Sequence, residues 1–431
     1  MRIAVTGIGI VSGQGVGVTD TLRNLLVPVS RLKRVSLFDT TLEVPVCQVP
    51  HTNDELAAMV AQGGADSRHY TRTAMLGMIA AHEALQSADL QLSHLRIGLV
   101  SSTSVAGMDS TERFYRQYLQ DPASGNTDDL KGHDCGDSTN AIAEYCNITD
   151  FKTTISTACS SSANAIIFGA GLIKAGLLDA VVAGGTDALC LSTLNGFNSL
   201  KILDSAPCRP FDENRQGLNL GEGAGYIVLQ REDTLQNPAK GLNCRGSYIV
   251  LQRKDTLQSG KNSCTEEHKP YAYLSGYGNA TDAFHQTATS ESGQGAYLAM
   301  REALSAAELQ PNEIDYINAH GTGTPNNDAS ESAALLRIFG GEANGKPMQL
   351  PPFSSTKPLT GHTLAASGGI EAVFCILALQ HGLIYPNLNF KTPLNTKIIP
   401  QTVLKKGEVL KNIMSNSFGF GGNSSSIIFS K

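Results

Sequence analysis

Thr157-Ala158-Cys159-Ser160-Ser161-Ser162 closes a short β-branched run (Thr153, Thr154, Ile155) and opens a long apolar segment, Ala163 to Leu178. Across that segment Ala163, Ile166, Ile167, Ala170, Ile173 and Leu177 recur at helical spacing, with Gly and Ala between them and almost no polar face. The change of period predicts a thiol at a strand-to-helix corner, on the first turn of a buried helix. A thiol there meets unpaired backbone N–H groups and the positive end of the helix dipole, and both favour the thiolate. A lone cysteine is more often simply a small core residue, so the rest of the chain has to decide between the two readings.

Outward from this corner the pattern is that of a parallel α/β sheet. Asp179 to Gly185 is an apolar β-rich run, giving strand, helix and strand in succession. Ile3 to Val11 is a buried strand, and the glycine-rich turn after it, Ser12 to Gly17, has neither the spacing nor the following acidic residue of a dinucleotide site. Tyr271 to Gly278 repeats the opening pattern of Ile3 to Gly9, and a helix from Gly295 to Ala307 follows. Strand Asp315 to Ala319 then delivers His320-Gly321-Thr322-Gly323-Thr324-Pro325, and Lys357-Pro358-Leu359-Thr360-Gly361-His362 precedes a second apolar helix, Leu364 to Gly382. Two halves with matching openings imply an internal pseudo-twofold. Cys159, His320, Lys357 and His362 all fall at strand C-termini or helix N-termini, where ligands of parallel α/β folds collect. A thiolate, two imidazoles and a fixed cation suit acyl transfer. A zinc site from Cys159, His320 and His362 is disfavoured, because the three lack any close pair spacing.

One stretch repeats. The segment 225–236 returns at 247–258, shifted by 22 positions, with differences only at its first residue and at Glu232/Lys254. Two copies are too few for a solenoid. A local tandem duplication is the simpler reading, in which one copy enters the sheet and the other is extruded.

Composition narrows the function classes. With 17% charged residues and 43 glycines among 431, the chain reads as a compact enzyme rather than a disordered or coiled-coil protein. A net charge of −6 argues against general nucleic-acid binding. Nine cysteines with no C-x-x-C fit a reducing compartment. The start, Met1 to Val11, reads as a strand rather than a signal peptide, and no uninterrupted apolar run reaches the roughly 20 residues of a membrane span. A cytoplasmic enzyme without membrane contact is expected.

Five motifs taken together resemble the β-ketoacyl-acyl-carrier-protein synthases, the condensing enzymes of the thiolase fold: TACSSS at 157–162, GEGAG at 221–225, HGTGTP at 320–325, KPLTGH at 357–362 and SFGFGGN at 417–423. The resemblance spans nearly the whole chain. It implies an α/β thiolase-like fold of two pseudo-symmetric halves, 1–258 and 270–431, in five layers (αβαβα) with two buried central helices. It also implies that Cys159 is the acylated nucleophile, that His320 and His362 bind the extender's thioester carbonyl and promote decarboxylation, and that Lys357 pairs with Glu371. Thr322, Thr324 and Gly419 would line the substrate tunnel. Phe418 would gate the pocket, its backbone N–H joining that of Cys159 in an oxyanion hole. No cofactor is implied beyond the phosphopantetheine arm of the acyl carrier protein. Arg68 and Arg72 are expected to form that acidic partner's docking patch.

The expected assembly is a homodimer, or a heterodimer with a related subunit. Initiating synthases carry Asn where His362 stands, and degradative thiolases use a late cysteine that is missing after Cys375, so elongation is favoured. The Ser160 to Ser162 run and Gly323 resemble polyketide or polyene enzymes more than the commonest fatty-acid ones. Asn326-Asn327-Asp328 departs from a Gly-Asp pair, and a turn there that needs positive φ would accept Asn. The alternative function is a catalytically silent partner resembling a chain-length factor, which would typically lack the cysteine.

Overall fold

The computed structural model describes residues 1–66, 69–88, 90, 95–235, 269–343, 346–347 and 349–431. Ten strands form one hydrogen-bonded path: β1 (Ile3–Ser12), β2 (Ile97–Ser102), β3 (Phe151–Ile155), β4 (Ala180–Asp187), β5 (Gly223–Arg231), β6 (Ala272–Thr281), β7 (Tyr316–Asn318), β8 (Phe353–Ser354), β9 (Asn412–Phe418) and β10 (Asn423–Ser430). Their spatial order is β8-β7-β9-β10-β6-β1-β5-β4-β2-β3. From the centre outward the two halves match in every step. β1 and β6 each pair antiparallel with the last strand of their half, that strand pairs antiparallel with the one before it, and the two outer pairings are parallel. Between the halves β1 and β6 share only Ile3↔Leu274, Ala4↔Tyr273 and Val5↔Ala272.

Alternation along the strands divides the layers, because successive side chains point to opposite faces. Val181, Ala183, Ile227 and Leu229 share a central cluster with helices α3 (Ser161–Lys174) and α6 (Ser367–His381), while Ala180, Val182, Tyr226 and Val228 face α1 (Arg72–Ala88) and α2 (Cys135–Tyr145). The other half divides the same way. Tyr316, Ile413, Ile427 and Phe429 face the central helices, and Ile317, Met414 and Ile428 face α4 (Gln294–Ala307) and α5 (Pro325–Phe339). The result is the five-layer αβαβα thiolase arrangement. Segment Leu364–His381 is long and apolar enough to cross a membrane, and 89% of it is buried inside the protein as the middle layer.

The echo between the two openings has a steric cause. A Cβ at Gly9 would overlap the carbonyl oxygen of Ala80 on α1, and one at Gly278 would overlap that of Ala299 on α4. Each half therefore needs a bare backbone where its first strand meets its outer helix. A second match refines the expected symmetry. Ala158 and Leu364 both hold φ of 52°, each three residues before the first residue of its central helix. Cys159 is thus the counterpart of Ala365, and His362 lies three residues earlier than a strict twofold would place it. The hydroxyl of Ser162 donates to the carbonyl of Ala365, which ties the two helix starts together.

The first copy of the duplicated stretch enters the sheet as β5, between β1 and β4. The second copy, at 247–258, lies outside the described residues.

Candidate active site

Cys159 follows the strained Ala158 at the entry to α3 and lines a cavity of about 330 Å³ together with His320, His362, Thr322, Thr324, Phe418 and Gly419. A non-glycine residue in the left-handed region costs of the order of 1–3 kcal/mol and persists only where its surroundings hold it. Here the Ser161 hydroxyl donates to the Ala158 carbonyl and accepts from the Thr157 N–H. Burial here works against the lowering expected from the helix start. Burial pushes the Cys159 thiol up to about 12, with Lys357 pulling the other way. Loss of hydration outweighs the cation at this depth.

The two imidazole rings meet at a centroid distance of 5.4 Å and an angle of 86°. Nδ1 of His362 accepts the N–H of Leu364 at 3.1 Å. Nδ1 of His320 faces the Lys357 ammonium, which can only donate, at 3.3 Å. In both rings the neutral tautomer therefore carries its proton on Nε2, an assignment that follows from these partners. Desolvation first, then the charge of Lys357, holds both well below the usual histidine range. Two neutral Nε2–H donors are the consequence.

Lys357 is 1% exposed, and its Nζ lies 2.6 Å from Oε1 of Glu371, which is 4% exposed. The pairing expected from the resemblance is thus present, one ammonium serving both Glu371 and His320.

Residues that sequence reading missed form the next layer. Glu331 on α5 accepts the backbone N–H of His320 (2.9 Å) and of Gly321 (2.8 Å), and the Nδ2 of Asn416 (3.2 Å). Asp187, at the end of β4, accepts from Thr103 Oγ1, Ser104 N, Val105 N and Ala365 N. Burial raises the first carboxyl to about 7 and the second to about 6. An acidic residue eleven positions after His320, followed at helical spacing by Ala334, Leu335 and Ile338, was the available signal for Glu331.

Two expectations change, the docking role of Arg72 and the turn at Asn326. Arg72 is 2% exposed, and its Nε and Nη2 hold Glu222 at 2.9 and 2.6 Å, so it is a buried structural ion pair that offers no charge to a docking partner. Arg68 lies outside the described residues. Phe418 is 5% exposed and packs on His320 with centroids 5.5 Å apart. The half-exposed aromatic of that loop is Phe420, stacked on Phe197 at 6.0 Å, and both line the cavity. Asn326 and Asn327 sit in the first turn of α5, with no positive φ there, so the substitution needs no special turn. Asn326 instead binds the Thr289 backbone through both its amide atoms. Thr322 and Thr324 stand where expected, joined hydroxyl to hydroxyl at 2.8 Å.

Set beside known proteins, residues 1–234 match the family model "Beta-ketoacyl synthase, N-terminal domain" and residues 271–391 its C-terminal domain. The chain belongs to the β-ketoacyl synthase family. It is 29% identical to 3-oxoacyl-[acyl-carrier-protein] synthase 2 of Staphylococcus aureus (strain MRSA252), over 100% of this chain and 98% of that protein. It is 31% identical to the mitochondrial 3-oxoacyl-[acyl-carrier-protein] synthase of Arabidopsis thaliana, over 99% and 93%. Among solved structures, the ishigamide ketosynthase/chain length factor superposes with a TM-score of 0.85 at 26% identity, covering 100% of this chain and 99% of that one.

Proposed function

We infer that this chain is an elongating acyltransferase that carries an acyl group on Cys159 and joins it to a malonyl unit held on acyl carrier protein, releasing CO₂ and a β-ketoacyl carrier thioester. The observation that carries this reading is one cavity lined by a thiol and two neutral Nε2–H imidazoles. In the first step the Cys159 Sγ–acyl bond forms as the carrier's C–S bond breaks, and the thiol proton leaves on the released carrier thiol. In the second, the malonyl C–CO₂ bond breaks and its electron pair stays on the α-carbon as an enolate. Nε2–H groups of His320 and His362 donate to the enolate oxygen. Such donors are worth roughly 3–4 kcal/mol each in comparable oxyanion sites. The carbanion then attacks the Cys159 thioester, and Sγ leaves and regains one proton from solvent. Backbone N–H groups of Cys159 and Phe418 serve the tetrahedral oxyanion.

This chemistry asks for no resident cofactor, and the carrier supplies the pantetheine arm through the Thr322 and Thr324 wall. Phe420, rather than Phe418, takes the gate. A second copy or a related subunit is proposed to add to the outer edge of β3, a run with a single charge, Lys152. A reducing cytosol suits seven described cysteines that are all free.

The test is intact-protein mass spectrometry after incubation with acyl carrier thioesters, followed by malonyl carrier. Acylation at Cys159 and conversion to a β-keto product are expected. An unmodified Cys159 would sink the enzyme reading in favour of a silent partner, the role a chain-length factor plays.

A further inference from the structure

We propose that Asn423 is a positioning residue for acyl transfer, fixing the turn that carries Cys159 against the loop that carries the Phe418 N–H. This rests on acyl transfer at Cys159 as argued above. Asn423 opens β10 and closes the tight loop 419–422, whose Gly421 and Gly422 hold φ of 86° and 78°. Its backbone carbonyl accepts the Gly419 N–H at 2.8 Å, which pins the loop from within. Its side-chain Oδ1 accepts the hydroxyl of Ser160, the residue next to the nucleophile, at 2.7 Å across 263 positions of sequence. The same oxygen accepts Asn164 Nδ2 on α3 at 2.9 Å and Asn279 Nδ2 on β6 at 3.3 Å.

Asn164 is in turn fully engaged. Its Nδ2 reaches Thr157 Oγ1 at 2.8 Å, and its Oδ1 takes Asn279 Nδ2 at 2.6 Å and Ser425 Oγ at 2.7 Å. One residue thus holds both donors of the oxyanion site: Cys159 N by way of Ser160, and Phe418 N by way of Gly419. The fit between the two is close, since a Cβ on Gly419 would lie 2.6 Å from the Thr157 carbonyl oxygen and 3.3 Å from Cys159 N. Two loop glycines give the backbone freedom to drift, and the Asn423 side chain is what couples it to the nucleophile. None of these contacts touches His320 or His362, so the decarboxylation donors stand outside the device.

The experiment compares three rates on the full chain: acylation of Cys159 by an acyl carrier thioester, alkylation of Cys159 by iodoacetamide, and CO₂ release from malonyl carrier. In Asn423→Ala acylation is expected to fall about 10- to 100-fold, as for a misplaced reacting geometry, while alkylation and CO₂ release stay within about twofold. Asn423→Asp, which keeps the acceptor oxygens and gives up the Nδ2 bond to Asn279 Oδ1, is expected to restore most of the acylation. Ser160→Ala, which removes the hydroxyl that Asn423 accepts together with its contacts to Thr157 and leaves the loop's own Gly419–Asn423 bond in place, is expected to reproduce the selective loss and serves if Asn423→Ala does not fold. Equal falls in acylation and alkylation, or no fall in acylation, would overturn the role. Failure of the unchanged chain to acylate would instead overturn acyl transfer itself.

Discussion

The Lys357 ammonium donates to Nδ1 of His320 at 3.3 Å while holding Glu371 at 2.6 Å. A single cation thus fixes an imidazole tautomer from inside the core. Replacing it does two separable things. Lys357→Ala leaves the Glu371 carboxylate buried and unpaired, which costs about 3–5 kcal/mol when one partner of a buried pair is removed. It also releases the His320 tautomer. The double variant Lys357→Met/Glu371→Leu is expected to recover most of the stability in chemical denaturation and none of the CO₂ release from malonyl carrier. Recovery of both would show that Lys357 acts on stability alone.

His320→Ala and His362→Ala are each expected to lower CO₂ release by about 10²–10³-fold, the range for removing one oxyanion donor. Cys159 acylation should survive in both, because the acyl-transfer donors are backbone groups. Loss of acylation together with decarboxylation would mean that an imidazole takes the thiol proton.

Burial that pushes the Cys159 thiol up to about 12 makes its reactivity a function of pH. Below that value the thiolate fraction rises tenfold per pH unit. Iodoacetamide alkylation, followed by peptide mass spectrometry at Cys159, should climb log-linearly from about pH 7 to pH 10 with no plateau. A plateau near neutral pH would show that the helix dipole and Lys357 overcome desolvation.

Glu331 is held at about 7, above the usual carboxylate range. Between about 4.5 and 7 the folded state therefore binds more protons than the unfolded chain. The slope of stability with pH is then negative, so this group's contribution is lost as pH rises through that window, by up to about 3 kcal/mol. Glu331→Gln should flatten this decline in urea titrations from pH 5 to 8, measured against the unchanged chain. An identical slope in both would refute the shifted carboxyl. His320 and Gly321 lose part of their backbone anchor in the same variant, so CO₂ release should fall as well.

The legible parts of this protein were local. Periodicity placed both central helices within a few residues, because a helix buried on all sides has no polar stripe to blur its limits. The paired glycines showed the matching halves, since a strand pressed against a helix backbone admits no Cβ at those positions. Cys159, His320, Lys357 and His362 were readable because each sits where a strand or turn hands over to a helix, and their motifs resembled one family. Arg72 was misread as a surface charge. Its partner, Glu222, is 150 positions away, and no local pattern reports such a pairing.

Other features came only with the tertiary structure. The Nε2–H state of both imidazoles depends on what touches Nδ1: a cation from 37 residues away for His320, and the N–H of Leu364 turned inward by a strained φ for His362. The upward push on the Cys159 thiol comes from its depth of burial, a sum over neighbours from both halves. Glu331, Asp187 and Asn423 act through atoms they reach across the fold. Residue types and their periods marked the buried helices, the matching halves and the reactive groups, and the resemblance to one family implied the layers. Protonation and alignment depend on distances between chain segments, and those are set only when the two halves close on each other.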